Sequence, residues 1–134
     1  MPRPMRLVDA ALAATMLIWA SLSHVPTAQA HAIIVESHPR HEESVSPPPR
    51  QLVLRFNSRI EKPLCSVLLV GPHQKSIALL RPEADTPPDT LTYSLPPLES
   101  GAYQARWKVL AADGHVTEGT VLFTVVAAEP ARTR

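Results

Sequence analysis

The sequence predicts an all-β domain built from about seven short strands. After residue 30, apolar and polar residues alternate in short runs, which is the two-residue period of strands with one buried face. Proline-rich breaks separate these runs, and the chain contains 15 prolines. No stretch keeps a helical period. The roughly one hundred residues that carry the runs are enough for one hydrophobic core and too few for two.

Seven runs are expected to form strands, because each is bounded by proline, glycine or polar residues. They are residues 31–36, 51–56, 64–70, 77–80, 90–95, 102–109 and 119–126.

Two of these runs indicate how the strands are placed. In 102–109, the alternate residues Tyr103, Ala105, Trp107 and Val109 face the expected core. The run 64–70 is apolar on both faces, which is typical of a central strand. The number of strands and the domain size are those of an immunoglobulin-like sandwich.

Residues 1–30 are predicted to be a cleaved secretory signal peptide. Arg3 and Arg6 precede an apolar run over 7–25, and Ala28-Gln29-Ala30 has the small residues of a cleavage site.

An uncleaved membrane anchor is the alternative, because the apolar run is nearly long enough to span a bilayer. Asp9 and His24 near its two ends favour removal. Cleavage would leave residues 31–126 as the domain and 127–134 as a flexible tail.

The composition after residue 30 excludes several kinds of function and site. Lys plus Arg and Asp plus Glu are then equal in number, so no charge excess attracts nucleic acid or an acidic membrane. Cys65 is the only cysteine, so no internal disulfide can form, and a buried inert thiol is expected there. All three methionines lie within the first 30 residues.

A set of metal ligands is predicted around the new amino terminus. Cleavage gives His31 an α-amine beside its imidazole. Asp113 and His115 are two residues apart, so an extended backbone would direct both side chains to one face, and Gly114 would allow close approach. One amine, two imidazoles and one carboxylate suit the equatorial plane of Cu(II), whereas Cu(I) prefers the missing sulfur ligands.

Ordinary structural roles remain open for the same residues. Asp113-Gly114 is a common turn signal, and an exposed Asp and His in a loop are unremarkable without the terminal histidine. His38 and His41 could attract a second metal ion weakly, but solvated loop residues are expected, and His73 is expected in a turn.

Several spaced residues form a recognisable set: His31-Ala32, Ser37-x-Pro39, the strand-ending Phe56, Tyr103-x-x-x-Trp107 and Asp113-Gly114-His115-x-x-x-Gly119. This set resembles the CopC family of periplasmic copper-resistance proteins over nearly the whole chain after residue 30. The resemblance implies a Greek-key β-sandwich or barrel and one Cu(II) ion per chain. The implied ligands are His31 through its amine and ring, Asp113 through its carboxylate and His115 through its ring.

The resemblance also implies a role. It indicates a periplasmic copper carrier or buffer in resistance and homeostasis, without enzymatic activity. An inner-membrane copper transporter of the CopD type is the implied recipient, and we expect a monomer.

Two departures from the family pattern limit the number and kind of copper sites that we expect. Some members have a glutamate two residues after the strand-ending phenylalanine, where this chain has Ser58. Others have a methionine-rich Cu(I) site, for which this chain has no methionine after residue 30. Both departures predict one cupric site only.

Two functions of other classes remain as alternatives. A copper monooxygenase also uses a terminal histidine in a two-histidine brace, although a carboxylate in the copper plane disfavours redox cycling. An exported sandwich module without metal would leave His31 incidental.

Overall fold

The computed structural model describes residues 31–127. The predicted signal peptide 1–30 and residues 128–134 of the predicted tail lie outside the described residues. The strands are β1 (Ile34–His38), β2 (Glu43–Val45), β3 (Gln51–Phe56), β4 (Ser66–Val70), β5 (Ser76–Ile77), β6 (Thr90–Ser94), β7 (Gly101–Leu110) and β8 (Val116–Val125). In the same part of the chain, the only helical elements are the 3₁₀ turns Lys62–Leu64 and Pro72–Gln74. The all-β prediction is confirmed.

The strands form two sheets that pack face to face. One sheet has the order β1-β3-β6, and the other has the order β2-β8-β7-β4-β5. All pairs are antiparallel except β2 with β8. The predicted immunoglobulin-like Greek-key sandwich is therefore confirmed.

The longest pairing is between β7 and β8. It continues without interruption from Gly101 opposite Val125 to Leu110 opposite Val116. This register places the turn of residues 111–115 at one end of the sandwich.

The core lies between the sheets and is filled by alternate residues of the strands. Leu52, Leu54 and Phe56 of β3 are fully buried, as their alternation predicts. Tyr103 and Phe123 stack with ring centroids 5.2 Å apart, and Phe56 meets Trp107 edge-on at 5.3 Å. Burial of each large apolar side chain stabilises the fold by about 1.5–3 kcal/mol.

The structure has eight strands where seven were expected, because β2 was not predicted. This strand is only three residues long and pairs in parallel with β8. Its position depends on a distant partner, so three residues of local sequence carry no clear signal for it. The expected strand 77–80 is shorter than predicted, and Leu80 is 79% exposed.

Two expectations about strand faces were wrong. Leu68 of the run 64–70 is 45% exposed, so the outer face of β4 is not covered there. The polar residues of the alternating run 90–95 were expected to face solvent, yet Thr90 and Thr92 are each only 6% exposed. The preceding loop covers them, since Glu83 donates its backbone N–H to the Thr92 carbonyl at 2.8 Å.

Trp107 lies directly over Gly119, its cross-strand partner. A Cβ atom added to Gly119 would be 2.6 Å from the Trp107 ring carbon Cζ2, which is closer than van der Waals contact allows. Only glycine therefore lets the indole pack on this strand and meet Phe56 at its other edge.

Replacing Gly119 with alanine should lower the free energy of unfolding by about 1–3 kcal/mol, because the Trp107 ring must move out of its packed position. Urea denaturation of the domain measures the change. Thr120→Ala is the control, since Thr120 is exposed on the same strand and its loss should change stability much less. Equal stability of the Gly119→Ala variant and the wild type would contradict this packing argument.

Candidate metal centre

The three predicted ligand residues lie at the same end of the sandwich. His31 precedes β1, and Asp113 and His115 lie in the turn between β7 and β8. These segments are far apart in sequence, so the sandwich must bring them together. The imidazoles of His31 and His115 meet edge-on, with ring centroids 5.4 Å apart and planes at 77°.

The turn that carries Asp113 and His115 is closed by backbone hydrogen bonds. Ala111 donates its N–H to the His115 carbonyl at 2.9 Å, and Gly114 donates to the Ala111 carbonyl at 2.9 Å. Gly114 has a φ of +86°, which favours glycine over any residue with a side chain. The prediction of an extended backbone from Asp113 to His115 was therefore wrong, and the turn interpretation of Asp113-Gly114 is confirmed.

The side chains of Asp113 and His115 nevertheless come together within this turn. The backbone N–H of His115 donates to Asp113 Oδ1 at 3.0 Å. The His115 Nδ1 lies 3.1 Å from Asp113 Oδ2, while the two side chains keep 45% and 28% of their accessible surface. In the metal-free protein this contact holds the Asp113 carboxylate and the His115 imidazole side by side.

This contact also affects the acidity of Asp113. The hydrogen bond from the His115 backbone N–H holds the pKa of the Asp113 carboxyl below its ordinary value of 3.8. Partial loss of hydration opposes this shift, whereas the imidazoles of His115 and His31 add to it. A carboxyl with a lowered pKa stays ionised, which is the form that binds a metal ion.

The segment that carries His31 is held in place although His31 itself is exposed. Ala32 is fully buried, and its carbonyl accepts a hydrogen bond from the Thr117 hydroxyl at 2.8 Å. Ile33 donates its N–H to Asn57 Oδ1 at 2.9 Å, and its carbonyl accepts the Asn57 N–H at 3.0 Å.

Asn57 and Thr117 are thus positioning residues that the sequence analysis missed. Neither belongs to a metal-binding motif, and the only signal available was their position. Asn57 directly follows the strand-ending Phe56, and Thr117 follows His115 by two residues.

One of the predicted donors, the α-amine of His31, does not exist while His31 is joined to Ala30. Within residues 31–127, no three His, Cys, Asp or Glu side chains are already arranged to hold a metal ion. In the full chain the His31 nitrogen is part of a peptide bond to Ala30, so it becomes an amine only after cleavage. Two close imidazoles with a carboxylate against one of them fit Cu(II) chemistry once that amine is added.

Among the residues that the structure describes, the other three histidines do not join this group. His38 is exposed at the end of β1, and His73 is exposed in a 3₁₀ turn. His41 Nδ1 accepts the backbone N–H of Leu122 at 3.2 Å, which occupies one of its ring nitrogens. A second site at His38 and His41 gains no support from this geometry.

Cys65 is half-buried, so the expected burial of this thiol is only partly met. Its Sγ donates to the Glu61 carbonyl at 3.2 Å. Burial raises the pKa of the Cys65 thiol, which keeps it protonated and unreactive.

The sequence profile of the CopC domain matches residues 34–126. The chain belongs to the CopC family. This confirms the predicted resemblance to the CopC family. The matched residues include Phe56, Trp107 and His115, whereas His31 lies ahead of them.

Individual relatives agree with this membership. Protein YobA of Escherichia coli (strain K12) is 28% identical over 103 residues, which cover 75% of this CopC-family chain and 82% of YobA. The crystal structure of CopC from Methylosinus trichosporium OB3b is similar with a TM-score of 0.64 at 31% identity, over 71% of this chain and 93% of that one.

A second solved structure differs from this chain in composition. PcoC from Escherichia coli, described as a methionine-rich copper resistance protein, has a TM-score of 0.62 at 25% identity, over 72% of this chain and 100% of PcoC. The present CopC-family chain has no methionine after Met16. Across residues 31–127, none of its helical segments has the length and apolar character needed to cross a membrane.

The Asp113 carboxyl should titrate below 3.8 in the metal-free protein. Because its folded pKa is lowered, its contribution to stability is present above the unfolded pKa and is lost as the pH falls through the folded pKa. Carbon-detected NMR of the side-chain carboxyl measures this titration.

The His115→Ala variant separates the causes of the lowered Asp113 pKa. It keeps the backbone N–H, which is the largest cause, so the pKa should rise only part of the way to 3.8. His73→Ala, at an exposed turn outside this group, is the control and should leave the titration unchanged. A complete return to 3.8 in His115→Ala would show that the backbone hydrogen bond is not the main cause.

Proposed function

We propose that this protein is a periplasmic Cu(II)-binding protein that carries or buffers copper in resistance and homeostasis. The observation that supports this most is the meeting of the His31 and His115 imidazoles at 5.4 Å, with the Asp113 carboxylate against His115. Two solved relatives are CopC and a copper resistance protein, and they share this fold.

The proposed ligands are His31 through its amine and ring, Asp113 through its carboxylate and His115 through its ring. Cupric ion prefers nitrogen and oxygen donors, and these four can occupy its equatorial plane. The only sulfur atom after residue 30 is that of Cys65, which is engaged with the Glu61 carbonyl. We therefore propose one Cu(II) ion per chain and no methionine-rich Cu(I) site.

The proposed role as a copper carrier is supported by the exposure of the candidate site. His31 and His115 lie at the surface rather than in a closed cavity, so a partner could approach the ion directly. We propose export by a cleaved signal peptide over residues 1–30, a monomeric protein, and a CopD-type inner-membrane transporter as the recipient. No step in this role requires turnover, so the protein is proposed not to be an enzyme.

A protein that begins at His31 should bind one Cu(II) ion tightly, and one extra residue ahead of His31 should weaken binding by about 100-fold or more. The extension turns the amine into an amide, which removes a direct ligand, and even indirect partners of ligands contribute 10–100-fold. A competitive titration with a Cu(II) chelator measures both affinities.

His115→Ala should weaken binding by a similar factor, because it removes an imidazole ligand. His73→Ala is the matched control, since His73 is exposed and far from this group in the fold. Unchanged affinity in the extended protein would exclude the amine as a ligand, and unchanged affinity in His115→Ala would exclude that ring. Loss of copper from the native-terminus protein during desalting would favour an exported module without metal.

The close pair of histidine rings also fits a copper monooxygenase with a histidine brace. The Asp113 carboxylate distinguishes the two functions, because it favours Cu(II) over the cycling that oxygen chemistry needs. The copper-loaded protein should therefore form little peroxide with ascorbate, compared with free Cu(II) at the same concentration. Rapid peroxide formation would favour the monooxygenase.

A further inference from the structure

A groove lined by prolines lies at the end of the sandwich where β7 begins. It consists of two open depressions with volumes of about 670 Å³ and about 480 Å³. Both depressions are lined by Pro96 and Pro97, so they adjoin and form one surface, which we call the proline groove. Its prolines are Pro47, Pro48, Pro49, Pro72, Pro96 and Pro97.

Hydrogen bonds and buried side chains hold the proline groove in shape. Leu95 donates its backbone N–H to the Arg50 carbonyl at 2.8 Å, which joins the two walls of the first depression. In the second depression, the Tyr103 hydroxyl donates to the Glu99 carbonyl at 2.8 Å. Leu98 and Tyr103 are buried beneath the two depressions. Because proline rings also have a fixed φ, little ordering remains to be done when a partner binds.

The charges that line the proline groove favour an acidic partner. Arg50 lines the first depression, and Lys75 and His73 line the second, where Glu99 is the one acidic residue of the described lining. Within residues 31–127, neither Arg50 nor Lys75 has a carboxylate oxygen within 4.0 Å. Each depression therefore offers a cation without an ion-pair partner among the described residues, and a carboxylate complements it.

The proline groove and the candidate metal centre lie at opposite ends of β7. This strand begins at Gly101, two residues after Glu99, and ends at Leu110, next to the turn of residues 111–115. A strand rises about 3.3 Å per residue, so its ten residues separate the two surfaces by about 30 Å. A partner bound in the groove leaves His31 and His115 accessible.

We propose that the proline groove binds an extended, acidic segment of a partner protein that carries an aromatic side chain between its carboxylates. Two adjoining depressions suit an extended chain better than a compact ligand. Proline rings pack against aromatic faces, as they do when proline-rich segments bind aromatic-lined grooves. Proline also has no N–H, so burying these residues removes few backbone donors from water. The interaction involves no copper and is independent of the proposed function.

The test uses the metal-free protein that begins at His31 and a synthetic peptide blocked at both ends, Glu-Asp-Ser-Trp-Ser-Asp-Glu. The control peptide has lysine at the four acidic positions. Nuclear magnetic resonance of the backbone amides follows the titration and locates the binding surface. Arg50→Gln and Lys75→Gln remove one groove cation each. Arg81→Gln is the matched control, because Arg81 is exposed and does not line the groove.

The acidic peptide should bind with a dissociation constant below about 1 mM and shift the amides of Lys75, Ser94 and Leu98 but not that of Gly114. Arg50→Gln and Lys75→Gln should each weaken binding by about two- to five-fold, the effect of one exposed ion pair. Added salt should weaken binding as well, because these charges are at the surface. The lysine peptide should not bind, and Arg81→Gln should match the wild type.

Three results would overturn the proposal. Equal binding of the acidic and lysine peptides, or amide shifts outside the groove, would exclude an acidic segment as the occupant. Shifts of the groove amides with protein concentration alone would assign the groove to a second copy of the chain. Absence of peptide binding, with groove amides that shift when residues 128–134 are removed, would assign it to the chain's own carboxyl-terminal residues.

Discussion

The hydrogen bond from the Thr117 hydroxyl to the Ala32 carbonyl is the constraint on which the candidate site depends. It joins the segment before β1 to the first residues of β8, which belong to different sheets. A neutral hydrogen bond contributes only about 1 kcal/mol net. It acts together with the burial of Ala32 and the two hydrogen bonds between Ile33 and Asn57. These contacts hold the backbone beside an exposed His31, so the imidazole meets His115 without being buried itself.

The paired strands of the β7–β8 hairpin and the exposed side chains of the candidate site are separate parts of the domain. The turn of residues 111–115 connects them directly. The β7–β8 hairpin is paired along its whole length, so its turn has one position relative to the core. The turn itself contributes the exposed side chains of Asp113 and His115. This division is common where a scaffold positions functional loops.

Much of the fold was predictable because strand alternation is a local property. The buried faces of β3 and β7 follow the sequence pattern, and so do the positions of Phe56 and Tyr103. The errors came where a distant segment decides the environment. β2 exists through its pairing with β8, and Thr92 is buried because the loop at Glu83 covers it. Neither partner can be read from the neighbouring residues.

By itself, the sequence determined the all-β class, the kinds of donor available and the absence of methionine after residue 30, because these follow from composition and a two-residue period. It also predicted His31, Asp113 and His115 as ligands. That prediction assumed an extended backbone for Asp113 and His115, which instead lie in a turn. Only the tertiary structure decided that the two histidine rings meet, that Asp113 contacts Nδ1 of His115, and that Asn57 and Thr117 hold the segment that carries His31. The physical reason is that these relations depend on the register and packing of strands from two sheets, which are set by contacts between residues far apart in the chain.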